Sequence, residues 1–424
     1  MLPIDWQTLG LQLAALLVMF AIALADLRQV AIRRMSRFSP VGLWVSRIAS
    51  LMAGRGERFV LSGFVLTAGV SAALVGKVIF CDFPHSGDEW SYFLQAEIFS
   101  QGRLHADSPA HPRFFDVWGM VNNGKFYAWA PPGWPLLLAP GMLLRTPWLV
   151  NPVLGALSLV VIYRLGTLVY NRSVALLALC FTLFSPFFPL HSASYFSHPS
   201  GLFFITLYVF FYARGIERGG NHDFLWAGLC GPMSFLIRPF DQVAVFCPLG
   251  AHLLLLVLRG DVAARQLVWL AMGHSAGVLL LLGYNFWQTG HPLTMGYQIG
   301  YGQPLVGLHL PGHQFIAEYL LHLLVWTFPF VPLLALVYSL WLGKTWAKSP
   351  SEQRWDTLFF LVFLSNILWY AFVPFHYWVG YGPRYYYASF FAVVLLGPTG
   401  GRPCSMASSG AGRPASLQAW ARLR

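Results

Sequence analysis

"FVLSGFVLTAGVSAALVGKVIFCDFPHSGDEWSYFLQAEIFSQGRL" (residues 59–104) joins the two kinds of sequence that decide the fold. Residues 59–80 form an apolar run of the length, roughly 20 residues, that an α-helix needs to cross a bilayer. Directly after it stand Asp88 and Glu89, with Trp90, Tyr92 and Phe93 close behind. Carboxylates at the end of an apolar span point first to function, because ionisable groups are costly near the hydrocarbon. The plainer alternative is solvated interfacial charge. Residues 88–101 read as a short helix: the two acids suit a first turn at the positive end of the helix dipole, and Gly102 suits a stop.

The rest of the chain extends this pattern. Its 424 residues are 57% hydrophobic, 17% aromatic and only 10% charged. That composition, with a mean hydropathy of +0.57, belongs to a polytopic membrane protein. Apolar stretches at 9–25, 59–80, 148–170, 174–190, 200–213, 224–237, 240–258, 266–287, 316–343, 357–376 and 385–397 predict an all-α bundle of about eleven transmembrane helices. The first span ends Ala23-Leu24-Ala25, which looks like a signal-peptidase site. No Lys or Arg precedes it, whereas Arg28, Arg33, Arg34 and Arg37 follow, so a retained helix is the better reading.

The net charge of +11 reports topology, not a nucleic-acid partner. With 26–58 on the cytoplasmic side, alternate connections carry Arg164, Arg172, Arg214, Arg218, Arg259, Arg265, Lys344, Lys348, Arg354 and the basic tail to the same side. The segments left outside, 81–147, 191–199, 238–241, 288–315 and 377–384, hold few basic residues. Cys81, Cys180, Cys230, Cys247 and Cys404 are scattered and form no CxxC, so neither a disulfide framework nor redox chemistry is indicated.

The outer segment 81–147 is the one long polar connection. Loops of that length are usually functional or disordered. This one is too rich in Trp, Tyr and Phe for a solvated tail, and it is expected to pack at the membrane surface. Its stretch 134–144, "WPLLLAPGMLL", is too short to span and is expected to lie in the interface. A second outer segment, 288–313, is rich in Gly and Pro and is expected to be a loop. From Gly397 the sequence becomes small and basic without apolar periodicity. Residues 398–424 read as a disordered cytoplasmic tail, or as the product of a truncation or frameshift that replaced membrane helices. There is no convincing inverted repeat, no GxxxxGK[ST] and no HExxH, which argues against a two-fold transporter, an ATPase and an intramembrane zinc protease.

The pattern "DEWSYFLQAEIFSQGRL…GKFYAWAPPGWPLLLAPG" resembles the first outer loop of the membrane-embedded GT-C glycosyltransferases. That group includes the protein O-mannosyltransferases of glycosyltransferase family 39 and the aminoarabinose transferase of lipid A. Weaker likenesses follow in the family's order: "LIRPFDQ" (236–242), "YNFWQTGHPLTMGY" (284–297) and "YGPRYYYASF" (381–390). The resemblance implies an N-terminal helix and basic loop over 1–58 and a catalytic transmembrane core over 59–397. It further implies an active site on the outer side of a bacterial-type cytoplasmic membrane. The donor would be a polyprenyl-phosphate sugar and the acceptor a lipid, glycan or protein hydroxyl.

By the same resemblance Asp88 is the base on the acceptor hydroxyl, with Glu89 as a second acidic group. A carboxylate within hydrogen-bond reach can take that proton as the hydroxyl attacks the anomeric carbon, and one base suffices for a single inverting displacement. The lipid phosphate that leaves needs cationic donors. Arg384, Arg238, Arg103 and Lys125 are the outer-side candidates, and Tyr92, Tyr127 and Tyr385 are expected to line the substrate. Competing readings stand beside these: an aromatic belt with a snorkelling Arg384, a structural Arg238–Asp241 ion pair, and an exposed turn charge at Lys125. His85, His105 and His111 show no compact metal-ligand spacing, although some proteins of this fold use Mg or Mn. His198 and His291, each before a Pro, read as turn or capping residues. The non-enzymatic alternative is a transporter or lipid flippase that uses the outer acidic cluster for ion or substrate contact.

Overall fold

A computed structural model describes residues 55–302, a few positions between 320 and 327, 350–370, and 381–396. The expected span at 9–25, most of that at 316–343, the stretch 303–313 and the tail 398–424 lie outside them. The chain divides into two compact units, Met1–Glu57 and Arg58–Arg424, and the described residues belong almost wholly to the second.

Helix α1 (Arg55–Leu74) runs into a π-helical turn, Val75–Ile79, to give one apolar rod over Gly56–Ile79. The rod ends in an elbow. Cys81 and Asp82 both adopt left-handed backbone angles, φ 53° and 54°, which cost a non-glycine residue about 1–2 kcal/mol each. Neighbours hold the elbow in place: Lys77 pairs with Asp82, and the Tyr195 hydroxyl donates to the Asp82 carbonyl at 3.3 Å. The chain thereby turns off the rod into helix α2 (Gly87–Ser100). Ser86 caps that helix, its Oγ accepting from the Glu89 amide at 3.2 Å. A cap of this kind is worth about 1 kcal/mol. Asp88 and Glu89 occupy the first turn, as the sequence predicts.

The outer segment also contains a feature the all-helical expectation lacks. Strands β1 (Ala106–Asp107), β2 (Met120–Asn122) and β3 (Lys125–Ala128) form an antiparallel sheet in the order β1-β3-β2. Gly124, at φ 100°, closes the β2–β3 hairpin. Gln95 stitches α2 to this sheet: its Oε1 accepts from the Ala128 amide at 2.8 Å and its Nε2 donates to the Leu104 carbonyl at 3.0 Å. Helix α3 (Gly133–Leu143) follows and is not a purely interfacial segment. Trp134 and Leu138 are fully buried while Leu136 and Leu143 are exposed. A Cβ at Gly133 would lie 2.6 Å from the Leu236 carbonyl carbon, so glycine is what lets α3 close on the bundle.

The bundle comprises α4 (Val150–Val169), α5 (Arg172–Leu183), α6 (Phe187–Ala193), α7 (His198–Arg218), α8 (Asn221–Ile237), α9 (Pro239–Leu258) and α10 (Ala264–Thr289). The short α11 (Gly296–Tyr301), α12 (Pro350–Tyr370), a 3-10 turn at Arg384–Ser389 and α13 (Phe390–Leu396) complete it. Helices α8 and α10 meet through glycines. A Cβ at Gly273 would fall 1.8 Å from the Gly228 carbonyl oxygen, the small-residue contact by which membrane helices approach closely.

Among the described residues five helices are long and apolar enough to cross a membrane, six if α5 and α6 count as one bent span. The expected eleven are not reached among the described residues, for identifiable reasons. The predicted span 174–190 is broken by a 62° bend at Ser185-Pro186, where proline lacks an N–H and clashes with the preceding turn. The predicted span 385–397 begins as a 3-10 turn and is short. Helix α8 is also short, with Pro232 inside it, and α12 carries Glu352, Arg354 and Asp356 in its first turns. The expected loop at 288–313 includes α11. The chain is a multi-pass membrane protein with a helical core.

Chain direction brings the C-terminal ends of α1, α8 and α12 and the N-terminal ends of α7 and α9 to one end of the bundle. At the opposite end Glu217 of α7 accepts from Arg354 (2.6 Å), Trp355 Nε1 (2.7 Å) and Ser351 (2.9 Å) of α12, and so ties those two helices together.

Candidate active site

Asp88 projects from the first turn of α2 toward residues that lie far away in sequence. Its Oδ2 accepts from Arg384 Nη1 at 2.7 Å. No protein group among the described residues bonds its Oδ1. The Asp88 side chain is 22% exposed and that of Arg384 only 7%, so the pair sits at the rim of a buried cluster. The Arg384 guanidinium is packed between the rings of Phe196 (4.9 Å) and Tyr385 (5.1 Å), and its Nη2 donates to the Tyr385 hydroxyl at 3.3 Å.

A second guanidinium also approaches Tyr385. Arg238, at the junction of α8 and α9, lies 5.9 Å from the Tyr385 ring. It donates to Ser197 Oγ at 3.2 Å and to the Tyr370 hydroxyl at 3.0 Å, and its Nε pairs with Asp241. Tyr370 in turn donates to Asp241 Oδ1, which closes a three-residue network. Burial opposes the charge of Arg238, but Asp241 beside it more than compensates and raises the guanidinium above its ordinary value. The structural ion pair considered from sequence is therefore present, and it also holds a fixed positive charge at the site.

Tyr92 lies one helical turn after Asp88 on the same face and is close enough to Asp88, Arg238 and Arg384 to feel all three charges. Burial first, then the negative charge of Asp88, pushes its phenol up to about 12. Its hydroxyl is thus a neutral donor and acceptor, 3.4 Å from Ser197 Oγ.

Glu89 has a different place. It is 1% exposed; its Oε1 accepts from the Tyr195 amide at 2.8 Å and its Oε2 from the His85 amide at 2.9 Å. Burial pushes its carboxyl up from the ordinary range, against the downward pull of those two amides. With both oxygens committed to backbone, Glu89 clamps the elbow before α2 to the segment that leads into α7. Glu89→Gln leaves one amide facing an NH2 group, and losing a hydrogen bond to a charged acceptor costs about 1.5–3 kcal/mol. The variant should melt several degrees lower in detergent while purified wild type and variant still bind the same ligands; an unchanged melting point would contradict the clamp.

Of the sequence-predicted residues, the structure brings together Asp88, Tyr92, Arg238, Arg384 and Tyr385. Three others lie at the small sheet instead. Arg103 pairs with Asp107 at 3.0 Å on the surface. Lys125 donates to the Trp287 carbonyl at 2.6 Å, near the C-terminal end of α10, where a cation suits the helix dipole. Tyr127 is buried in the core between sheet and bundle. Ser197, Asp241, Tyr370 and Phe196 complete the cluster, and of these only Asp241 carries a signal in sequence, its charge beside Arg238. His198 is not an exposed cap: it is buried against the rings of His191, Phe196 and Tyr385. His291 does sit in an exposed turn, its Nδ1 accepting from the Leu293 amide at 3.3 Å.

Among the described residues no group of three or more His, Cys, Asp or Glu is placed to hold a metal ion. Of the carboxylates in the cluster, Asp88 pairs with Arg384, Glu89 accepts from two backbone amides and Asp241 pairs with Arg238. The described cysteines are free thiols.

No family model matches the chain, and no curated protein matches it in sequence. Among solved structures it is similar to the crystal structure of ArnT from Cupriavidus metallidurans bound to undecaprenyl phosphate. The match has a TM-score of 0.52 and 12% sequence identity, and covers 78% of this chain and 59% of that one. This chain therefore spans less than two thirds of the length of that structure. At this identity the likeness is one of fold.

Proposed function

We propose that this protein is a membrane glycosyltransferase that moves a sugar from a polyprenyl-phosphate donor to an acceptor hydroxyl, with inversion and on the extracytoplasmic side of the inner membrane. The observation that carries the reading is the convergence of Asp88 with two buried guanidiniums, Arg384 and Arg238, at one end of the bundle. A fold similar to a structure that holds undecaprenyl phosphate supports it.

The chemistry follows from charge. As the acceptor oxygen forms its bond to the anomeric carbon, the bond from that carbon to the phosphate oxygen breaks, and the acceptor proton passes to Asp88 Oδ1. The electron pair of the broken bond stays on the lipid phosphate. Arg384 and Arg238 then face the added negative charge, and guanidinium is the side chain best matched to phosphate oxygens. Tyr92 supplies a neutral hydroxyl between base and cations. The acceptor is a hydroxyl of a lipid, glycan or protein.

The test is label transfer in nanodiscs containing the purified protein, polyprenyl phosphates carrying a radiolabelled hexose, pentose or aminopentose, and candidate acceptors. A nanodisc has no separate compartment. Transfer moves the label to a new molecule, whereas a transporter or flippase leaves it on the donor lipid. Label that stays on every donor would overturn the reading.

A further inference from the structure

Two arginine–aspartate pairs meet at Tyr385, and their surroundings differ. Asp241 is fully buried and is held by Arg238 and by the Tyr370 hydroxyl together. Removing an anion locked in that way would strand a buried cation. Asp88 is 22% exposed, its described side-chain contact is one oxygen on Arg384, and it stands in the first turn of a helix, beside the elbow. Its partner cannot follow it outward, because the Arg384 guanidinium is wedged between Phe196 and Tyr385. The Arg238 pair is fixed; in the Arg384 pair the carboxylate is the movable half.

From this asymmetry we infer that Asp88 and the lipid phosphate compete for Arg384, so that donor binding displaces Asp88 and frees its carboxylate for the acceptor. The inference rests on the proposed function and adds an order of events. A buried guanidinium needs an anion beside it. In the empty site Asp88 is that anion, and in the loaded site the phosphate takes Nη1. The exchange keeps the cation neutralised throughout and releases the Asp88 oxygen that Arg384 holds when there is a sugar donor to attack. The aromatic walls around Arg384 favour a phosphate carried on an apolar chain over free phosphate.

The test is binding of undecaprenyl phosphate to the full chain in nanodiscs, comparing wild type, Asp88→Asn and Arg384→Gln, with inorganic phosphate as a separate arm. Asn keeps the size of Asp88 but not its charge, so the competitor is removed; losing a charge-assisted hydrogen bond of this kind corresponds to about tenfold. Asp88→Asn should therefore bind the lipid about tenfold more tightly than wild type, and Arg384→Gln should bind it far more weakly. Unchanged or weaker binding by Asp88→Asn would overturn the competition while leaving the proposed function standing. Absence of binding by wild type and Asp88→Asn alike would overturn both. Inorganic phosphate bound as tightly as the lipid would overturn the assignment to a lipid headgroup. A second measurement needs no variant: carbodiimide labelling of Asp88 in the wild-type chain should rise when undecaprenyl phosphate is added, and a constant or lower yield would contradict the exchange.

Discussion

Replacing Asp88 with Asn is expected to lower the turnover of sugar transfer by about 10²–10⁴-fold, the range over which a positioned general base contributes. The variant removes the proton acceptor but little volume, and Ser86 still caps α2. The loss should therefore appear in kcat in protein that still folds, with some lowering of the melting point in the empty site because Arg384 is left without its anion. Because the same change frees Arg384, the KM for the donor should fall, not rise. A drop in kcat together with a lower donor KM separates loss of the base from general damage, which would raise KM. Glu89 supplies the internal comparison. It is adjacent in sequence, but its carboxylate is occupied by the Tyr195 and His85 amides, and its loss should act through stability. Steady-state kinetics of the two variants side by side would show which of the neighbouring acids does chemistry.

The second large effect is expected at Asp241. Its replacement by Ala leaves Arg238 buried without its carboxylate, and breaking a buried pair from one side typically costs about 3–5 kcal/mol. Asp241→Ala should melt well below wild type in detergent or fail to yield folded protein. The double variant Arg238→Met/Asp241→Leu removes both charges and fills the space with apolar side chains, which is often neutral or stabilising. It should recover most of the melting temperature while transfer stays low, because a phosphate-facing cation is gone. Recovery of both stability and transfer would show that Arg238 is structural only. A double variant as unstable as the single one would mean that the network around Tyr370 and Ser197 matters beyond its charge.

How much of this was legible in the sequence depends on distance along the chain. The α2 start was readable from a local signal: two acids at the end of an apolar run suit a first helical turn, and Asp88 and Glu89 occupy it. The different fates of Asp88 and Glu89 were not readable. Adjacent residues on a helix point about 100° apart, and only the packed structure shows that one direction meets Arg384 and the other meets backbone amides. Arg103 and Lys125 illustrate the converse. They share a loop with the acids, but their charges are spent on Asp107 and on the Trp287 carbonyl.

Arg384 was found only through a family-like fragment, since nothing local in "GPRYYY" says which carboxylate it will meet. Tyr370 ends an apolar helix and gives no sign that its hydroxyl closes a buried network. The three-stranded sheet escaped notice because its strands are too short to show alternation: two, three and four residues. Span counting failed for a related reason. A hydropathy run does not register that Pro186 breaks one predicted helix or that 3-10 geometry opens another. Long apolar helices were legible; where they bend, and which distant polar groups their ends bring together, was not.

The central claim is that Asp88, beside Arg384 and Arg238, drives transfer of a sugar from a polyprenyl phosphate. Mass spectrometry of nanodiscs that contain the purified chain, a sugar-linked undecaprenyl phosphate and acceptor tests it most directly. The account predicts free undecaprenyl phosphate and glycosylated acceptor in equal amounts with wild type, and both lost together in Asp88→Asn. Equal amounts of both products from Asp88→Asn at the wild-type rate would contradict it.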